Sequence, residues 1–569
     1  MNESTPELVR IAAQYDIAGD QVVSAIASPA ELAAKQKYWK QEFLELIGGL
    51  PQEKTPLYAE SKGISGYEGY TVEKILFQSA PGVYVTGLLY LPDSAQFKKP
   101  YPALLIVHGH SDFGKTFPQY SAMAIAAVKA GFGVFAPDPV SQGERFQCSG
   151  AYPWSDSAVE HASLGARSWL VGWNFARFRI HDGIRAVDFM ESRPELDMSQ
   201  LAVAGNSGGG TMSVYLQALD ERIRNACPNS YVSSLREVIR ERGVHDAEQF
   251  FFDQLPRGFN HAVLLAMGQP RVNMLTGARH QDYFPMEGTR STFVVLKKLH
   301  GKLGFTNGLG MYSCDGEHGW AVSSRTAALT WLRHFIKGEK TPFDAQENGS
   351  FALDENLLRA IPDVEQIPPL PHECGRVTES GQVRDLPGFH SLYDIIRERA
   401  EELAAKRIPP HQRPAEQIRE TVRRRAVIHP LNALPPEPEP HHHQFQWWYL
   451  NGTEGFMVEQ HAALLAAEGK SLVGIRAEAI LRNSLKKMAD NGGKPVPLEA
   501  GGMMCIAAAH AYAAEPQLFS SVSLTNPPPS WLQMLQNPDP RKDSLAAAVW
   551  GALEEYDWTE LVPAGAFKK

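Results

Sequence analysis

Leu201-Ala-Val-Ala-Gly205-Asn206-Ser207-Gly208-Gly209-Gly210 is an apolar, β-type run that breaks into Gly-x-Ser-x-Gly and continues into a helical pattern. It reads as a nucleophile elbow. A sharp strand-to-helix turn of this kind holds a serine hydroxyl clear of the backbone, facing a base and an oxyanion site, and it tolerates little besides glycine at the flanking positions. In a chain with 47 glycines the five-residue pattern carries little weight by itself. What surrounds it decides the reading.

Upstream, Tyr101-Pro-Ala-Leu-Leu-Ile-Val107 is a buried-strand pattern that ends in the loop His108-Gly109-His110. Downstream, Gln269-Pro-Arg-Val-Asn-Met-Leu-Thr-Gly277 is a further strand, followed by Ala278-Arg-His-Gln-Asp282. A last strand, Gly308 to Cys314, leads into Asp315-Gly-Glu317-His318. An acid just beyond the carboxyl end of a parallel strand is placed to reach a histidine on the next loop. The expected triad is therefore Ser207, Asp282 and His318, in an order that differs from those of chymotrypsin and subtilisin. An elbow takes one oxyanion N–H from the loop after an earlier strand and one from the residue after the serine, which assigns the oxyanion hole to the amides of His110 and Gly208. The side chains of His108 and His110 either pack that loop or face the substrate. Asp315 and Glu317 compete for the acid's role, but acids so close in sequence to the histidine usually cap a loop or stay solvated. After His318, Ala327, Leu329, Leu332 and Phe335 have the spacing of a closing amphipathic helix.

From about Leu46 to Gly338 the chain resembles the acetyl xylan esterase and cephalosporin C deacetylase branch of the α/β-hydrolases. The resemblance runs through Phe77 to Pro92, His108-Gly-His110, Ala136-Pro-Asp138 with Ser141-Gln-Gly-Glu-Arg145, Arg177 to Asp188, the elbow, and the loops of Asp282 and His318. It implies a mostly parallel sheet flanked by helices, the same three catalytic residues, and serine-esterase chemistry on short acyl esters, often of sugars. Peptidase chemistry by the same triad and a non-catalytic binding or scaffolding role are the alternatives. One departure is that the branch's Gly-x-Ser-Gln-Gly stands here as Gly-Asn-Ser-Gly-Gly. No metal or organic cofactor is expected. Between Pro139 and Asn174 lies an insertion larger than a bare crossover needs, with Trp154, Glu160, His161, Arg167, Trp169 and Trp173 in a segment that has room for two short helices. Trp154, Trp169, Glu144 and His108 are candidates to line the substrate pocket. Against that reading, the tryptophans would seal the insertion to the body, and Glu144 and Arg145 would form a structural ion pair.

At 569 residues the chain exceeds one ordinary core, so two domains are expected. The net charge of −9 argues against nucleic acid as a partner. No apolar run approaches the ~20 residues of a membrane span, and Met1-Asn-Glu-Ser-Thr-Pro-Glu7 lacks a basic region and an apolar core. Five scattered cysteines, odd in number, suggest a reducing compartment, and the expectation is a cytoplasmic protein. Residues 1–340 then form the catalytic domain. Residues 341–440, with proline-rich and charged helical stretches, form a connector that wraps or spaces two bodies. His441-His-His443 reads as solvated linker rather than metal ligand, because it has no partner spacing.

Residues 441–569 read as an incomplete second hydrolase-like domain. Val458 to Ala479 is expected to parallel Lys129 to Ala136 as helix, glycine and strand. Pro497 to Ala507 then parallels the elbow, and Glu555 to Leu561 parallels Gly258 to Leu264. Aligning Ala218, Asp220 and Ile223 with Ala513, Glu515 and Leu518 puts Gly502 in the place of Ser207. This copy has no nucleophile and ends before the strands that would bring an acid and a histidine. It is expected to pack on the first domain, to roof its site or to build a homo-oligomer interface.

Overall fold

A computed structural model of the chain describes residues 7–148, 157–242, 246–279, 282–305, 308–314, 316–339, 368–435, 462–463, 465–538 and 543–568. Trp154, Asp315 and His441 to His443 lie outside these residues. The strands are β1 (Glu60–Tyr67), β2 (Tyr70–Ala80), β3 (Val83–Pro92), β4 (Tyr101–Val107), β5 (Gly133–Pro137), β6 (Leu196–Asn206), β7 (Asn225–Asn229), β8 (Val272–Ala278) and β9 (Leu309–Cys314), of which β1 and β7 are not marked by apolar runs. They make one nine-stranded sheet in the order β1-β2-β3-β5-β4-β6-β7-β8-β9. β1, β2, β3 and β5 pair antiparallel, and all pairs from β5 onward are parallel.

β4 and β6 are fully apolar where they cross the middle of the sheet, because helices cover both of their faces. On one side pack the helices Pro29–Leu46, Ala176–Glu191, Gly208–Leu219 and Met286–Leu303, through residues such as Phe43, Ile180, Leu216 and Leu296. On the other side lie the helices Pro118–Lys129 and Val322–Lys337, through Met123, Ala127, Ala328 and Trp331. The closing helix thus runs where its spacing placed it. Its Ala327, Leu329 and Leu332 are buried and Phe335 is partly buried.

The connector wraps the first body. Leu370, Val377 and Val383 enter its core, and the helices Leu392–Lys406 and Ala415–Ala426 lead on to a second sheet. That sheet has three parallel strands, β10 (Val496–Gly501), β11 (Phe519–Thr525) and β12 (Phe567–Lys568), in the order β10-β11-β12. Its backbone repeats that of β6, β7 and β8. Gly502 takes φ 57° where Ser207 takes 58°, and Asn526 takes 46° where Ser230 takes 45°. Gly502 N–H donates to the Thr525 carbonyl (3.1 Å) as Ser207 N–H donates to that of Asn229 (2.9 Å). Asn526 N–H donates to the Lys568 carbonyl (3.3 Å) as Ser230 N–H donates to that of Thr276 (2.8 Å).

One part of the expected alignment is corrected. Residues 472–479, expected to hold a strand, belong to the helix Leu472–Asp490. It stands before β10 as the helix Ala176–Glu191 stands before β6. Leu472, Val473, Ala477 and Leu481 are buried at helical spacing, and Ser471 caps the first turn by accepting from Gly474 N–H at 2.9 Å.

The two halves share a core. Leu164, Trp169 and Leu170 of the insertion helix Ser157–Leu170 join one apolar cluster with Trp531, Val549 and Tyr556. At its centre Arg167, fully buried, donates to Asp543 and to the carbonyls of Met534, Leu535 and Asn537. No helix among the described residues is long and apolar enough to cross a membrane.

Burial holds the imidazoles of His261, His300 and His510 down to about 4 each. In the unfolded chain these rings titrate near 6.5, so between about pH 6.5 and 4 the unfolded state binds protons that the folded state refuses. Their contribution is complete above that window and is lost as the pH falls through it, by on the order of 1.4 kcal/mol per pH unit for each ring. Urea unfolding at pH 7 and pH 5 should show a clearly lower midpoint at pH 5. An unchanged midpoint would contradict the burial of these rings.

Candidate active site

At the end of β6 the backbone turns through Ser207 at φ 58° and ψ −120°, and the helix Gly208–Leu219 begins at the next residue. A non-glycine residue in this conformation is strained, and it persists only where neighbours enforce it. Here they do. A Cβ on Gly205 would stand 2.5 Å from the Val107 carbonyl, and one on Gly209 would stand 2.2 Å from the same oxygen, so glycine alone lets the elbow press against the end of β4. The loop beyond β4 crosses just above the serine. A Cβ on Gly109 would lie 2.8 Å from Ser207 Cβ, so the residue before His110 passes close over the serine. The Gly208 amide is in the first turn of its helix, where no intrahelical acceptor exists and the helix dipole favours negative charge. Gly109 of the loop after β4 and Gly208 thus both lie against Ser207.

The acid and the base come from the neighbouring strand ends. Asp282, buried in the loop after β8, meets His318 Nδ1 through Oδ1 at 2.8 Å. The same oxygen accepts from Phe284 N–H (3.0 Å), while Oδ2 accepts from Ser230 Oγ (2.8 Å) and Ala278 N–H (3.1 Å). Burial alone would raise its pKa. The charge of His318 and these hydrogen bonds outweigh burial and hold the carboxyl below its ordinary range. Asp282, rather than Glu317, thus partners the imidazole. His318 lies in the loop after β9, with the Tyr283 ring edge-on at 4.7 Å. Among the described residues no hydrogen bond joins Ser207 Oγ to His318. Such contacts are commonly loose before substrate binds.

Asn229 and Ser230, which the sequence reading passed over, tie the three segments together. Asn229 O accepts from Ser207 N–H, and its Nδ2 donates to the Gly319 carbonyl at 2.9 Å, beside His318. Thr276 Oγ1 donates to Asn229 Oδ1 (2.7 Å), and Ser230 Oγ holds Asp282. Asn and Ser closing a short buried strand were a visible signal, since polar groups in such a place need partners.

The expected pocket residues fare differently. His108 is 1% exposed, with its ring stacked on Tyr120 at 4.7 Å. Burial, with the charges of Lys115 and Arg179, pushes its imidazole down to about 3. It is a packing residue, and only its carbonyl takes part near the site, accepting from Arg179 Nη2 at 2.7 Å. Glu144 is also turned away. It accepts from Lys115 Nζ (2.7 Å), Val377 N–H (2.9 Å) and both the N–H (2.8 Å) and Oγ1 (2.9 Å) of Thr378, clamping the connector to the loop after β5. The cavity of about 230 Å³ that it lines with His372 and Arg376 includes none of Ser207, Asp282 and His318. Glu144 and Arg145 do not pair, because Arg145 meets Asp182 at 2.8 Å. Trp169 faces the second half, edge-on to Trp550 at 5.1 Å. It seals the insertion there, since a ring so apolar is spent on the larger buried surface. Trp154 lies outside the described residues.

Comparison with known proteins agrees with the architecture. Residues 18–249 match the profile of the Abhydrolase family. The Bacillus subtilis (strain 168) protein YtaP, whose name calls it a hydrolase, is 23% identical over 266 residues, a span of 44% of this chain and 82% of that protein. YuxL of the same organism, named a peptidase, is 25% identical over 266 residues, covering 43% of this chain but only 37% of that relative. Among solved structures, the methylesterase BT1017 superimposes with a TM-score of 0.52 at 18% identity, over 69% of this chain and 81% of that one. The first half of the chain has the α/β-hydrolase fold.

The Lys115, Asp138 and Glu144 cluster, almost wholly buried, holds the segment that follows His110. Removing one partner strands a buried charge, so Glu144→Ala should lower the unfolding free energy by about 3–5 kcal/mol. Urea unfolding measures this; a loss under about 1 kcal/mol would mean that the clamp is solvated.

Proposed function

We propose that the protein is a serine esterase that hydrolyses short acyl esters, acetyl esters of carbohydrates foremost, by way of an acyl-enzyme at Ser207. The observation that carries this reading is the Asp282–His318 pair, 2.8 Å apart, on strand ends next to a serine held at φ 58°. Asp282 occupies Nδ1 of the imidazole and so leaves Nε2 to take the serine proton. Ser207 Oγ attacks the acyl carbonyl, His318 accepts its proton, and the amides of His110 and Gly208 bind the oxyanion. His318 returns the proton to the departing alcohol. Water, activated by the same base, then releases the acid. The methylesterase with the same fold and the motifs shared with acetyl xylan esterases support an ester as substrate.

In this reading the C-terminal sheet is a repeat without a nucleophile. Gly502 has the backbone of Ser207 and no side chain to react. The peptidase-named relative keeps amide hydrolysis as a second reading, separable by the substrates the enzyme accepts.

The test is hydrolysis of aryl acetates and acetylated sugars, with an aryl anilide alongside, by wild type, Ser207→Ala and Asp282→Asn. Wild type should prefer the esters. Ser207→Ala should lose at least ~10³-fold in kcat, and Asp282→Asn roughly 10⁴-fold without loss of fold, because its imidazole takes the wrong tautomer. Equal rates in wild type and Ser207→Ala, or no hydrolysis by either, would end the esterase reading.

A further inference from the structure

Beside the oxyanion loop, three segments distant in sequence bring four donor side chains to one point. His110 comes from the loop after β4, His161 from the insertion helix Ser157–Leu170, and Asp246 and Glu248 from the stretch after the helix Leu235–Arg242. One ligand atom from each lies within 4.8 Å of all the others. His110 Nε2 is 2.8 Å from His161 Nδ1 and 2.5 Å from Asp246 Oδ2, while His161 Nδ1 is 3.5 Å from Glu248 Oε2.

We propose that His110, His161, Asp246 and Glu248 form a binding site for one divalent transition-metal ion, zinc being the ion this donor set suits best.

Three observations carry this. First, Asp246 Oδ2 and Glu248 Oε2 are sealed from solvent and face imidazole nitrogens, His110 Nε2 at 2.5 Å and His161 Nδ1 at 3.5 Å. Buried carboxylate oxygens need a donor or a cation, and here both face the same centre. Second, the outer contacts are those that orient metal ligands. His161 Nε2 lies 3.0 Å from the Val140 carbonyl, which can only accept, so the proton of a neutral ring is on Nε2 and the lone pair on Nδ1 faces the cluster. Asp246 Oδ1 accepts from Ala247 N–H (2.9 Å), and Glu248 Oε1 is held by Arg179. Third, the two imidazoles and two carboxylates arrive from three separate segments with one guanidinium beside them, a donor set that a dication would hold together. Two imidazole nitrogens and two carboxylate oxygens suit zinc in tetrahedral coordination, with manganese, iron and cobalt as weaker competitors.

His161 and Glu248 are fully buried, whereas the side chains of His110 and Asp246 are 26% and 13% exposed. The cluster therefore lies nearest the surface at His110 and Asp246. It also adjoins the oxyanion hole, since a Cβ on Gly208 would stand 3.2 Å from Glu248 Oε1 and 3.1 Å from Arg179 Nη1. An ion here would clip the His110 loop to the insertion helix and so fix the amide that the proposed reaction uses.

The test reads metal rather than turnover, so it stands or falls apart from the esterase reading. Full-length protein is stripped with a chelator, titrated with Zn²⁺, Mn²⁺ and Co²⁺, and assayed for bound metal, Tm and the visible spectrum of the cobalt form. Wild type should retain one equivalent of Zn²⁺ after desalting and gain several degrees of Tm on reloading. Cobalt should show the absorption of a four-coordinate nitrogen and oxygen site and lose it to zinc. Asp246→Asn and His161→Ala should bind at least about 100-fold more weakly. If wild type takes up no ion and its Tm ignores both chelator and metal, or if both variants load as wild type does, the proposal is wrong. The first outcome would leave a hydrogen-bonded cluster with a proton on His161. Should the variants fail to fold, the wild-type titration and cobalt spectrum still decide.

Discussion

The molecule is built around the contact between two backbones at the middle of its sheet. Gly205 and Gly209 let the turn after β6 lie against the Val107 carbonyl at the end of β4, closer than any side chain would permit. That approach holds Ser207 in its left-handed conformation and carries the His110 loop over it. The geometry of the proposed oxyanion hole is then a property of two crossing main chains, little subject to side-chain rotamers. Catalysis of this type depends on donors aimed before the charge develops.

Layers of polar contacts keep the pieces in register. Asn229 and Ser230 join the serine turn to the His318 loop and to Asp282, so the end of one short strand holds three segments that the chain brings from far apart. On the far side the Lys115, Asp138 and Glu144 cluster fixes the segment beyond His110 and pins the connector to it. The C-terminal half adds support of another kind. A three-stranded parallel sheet has too little apolar surface to stand alone, and the C-terminal half shares one apolar cluster with the insertion helix that carries His161. Its effect on the site therefore passes through the insertion, by way of Arg167 and Trp169.

Much of this was legible in the residues. β4, β8 and β9 fall within a few residues of their expected bounds, because strands buried on both faces are nearly continuous apolar runs. Asp282 and His318 pair as their order implied, and Ser207 stands at the turn where the Gly-x-Ser-x-Gly pattern placed it. Harder to read was what depends on partners distant in sequence. Glu144 was expected in a pocket and is a clamp, since nothing near it in sequence reveals Lys115 or Val377 as its neighbours. A strand within Leu472 to Ala479 follows only from the expected parallel with Lys129 to Ala136; the apolar positions at helical spacing and the Ser471 cap decide for helix. Asp246 and Glu248 carried no motif, and only folding brings them to His110 and His161.

The central claim, that Ser207 is the one activated nucleophile of this chain, is tested most directly by labelling the full-length protein with a fluorophosphonate. Intact mass and peptide mapping then locate the adduct. A single adduct on the peptide that contains Ser207, absent after His318→Ala, is the result this account requires. Labelling at another residue, or hydrolysis of esters that persists with Ser207 unlabelled, would contradict it.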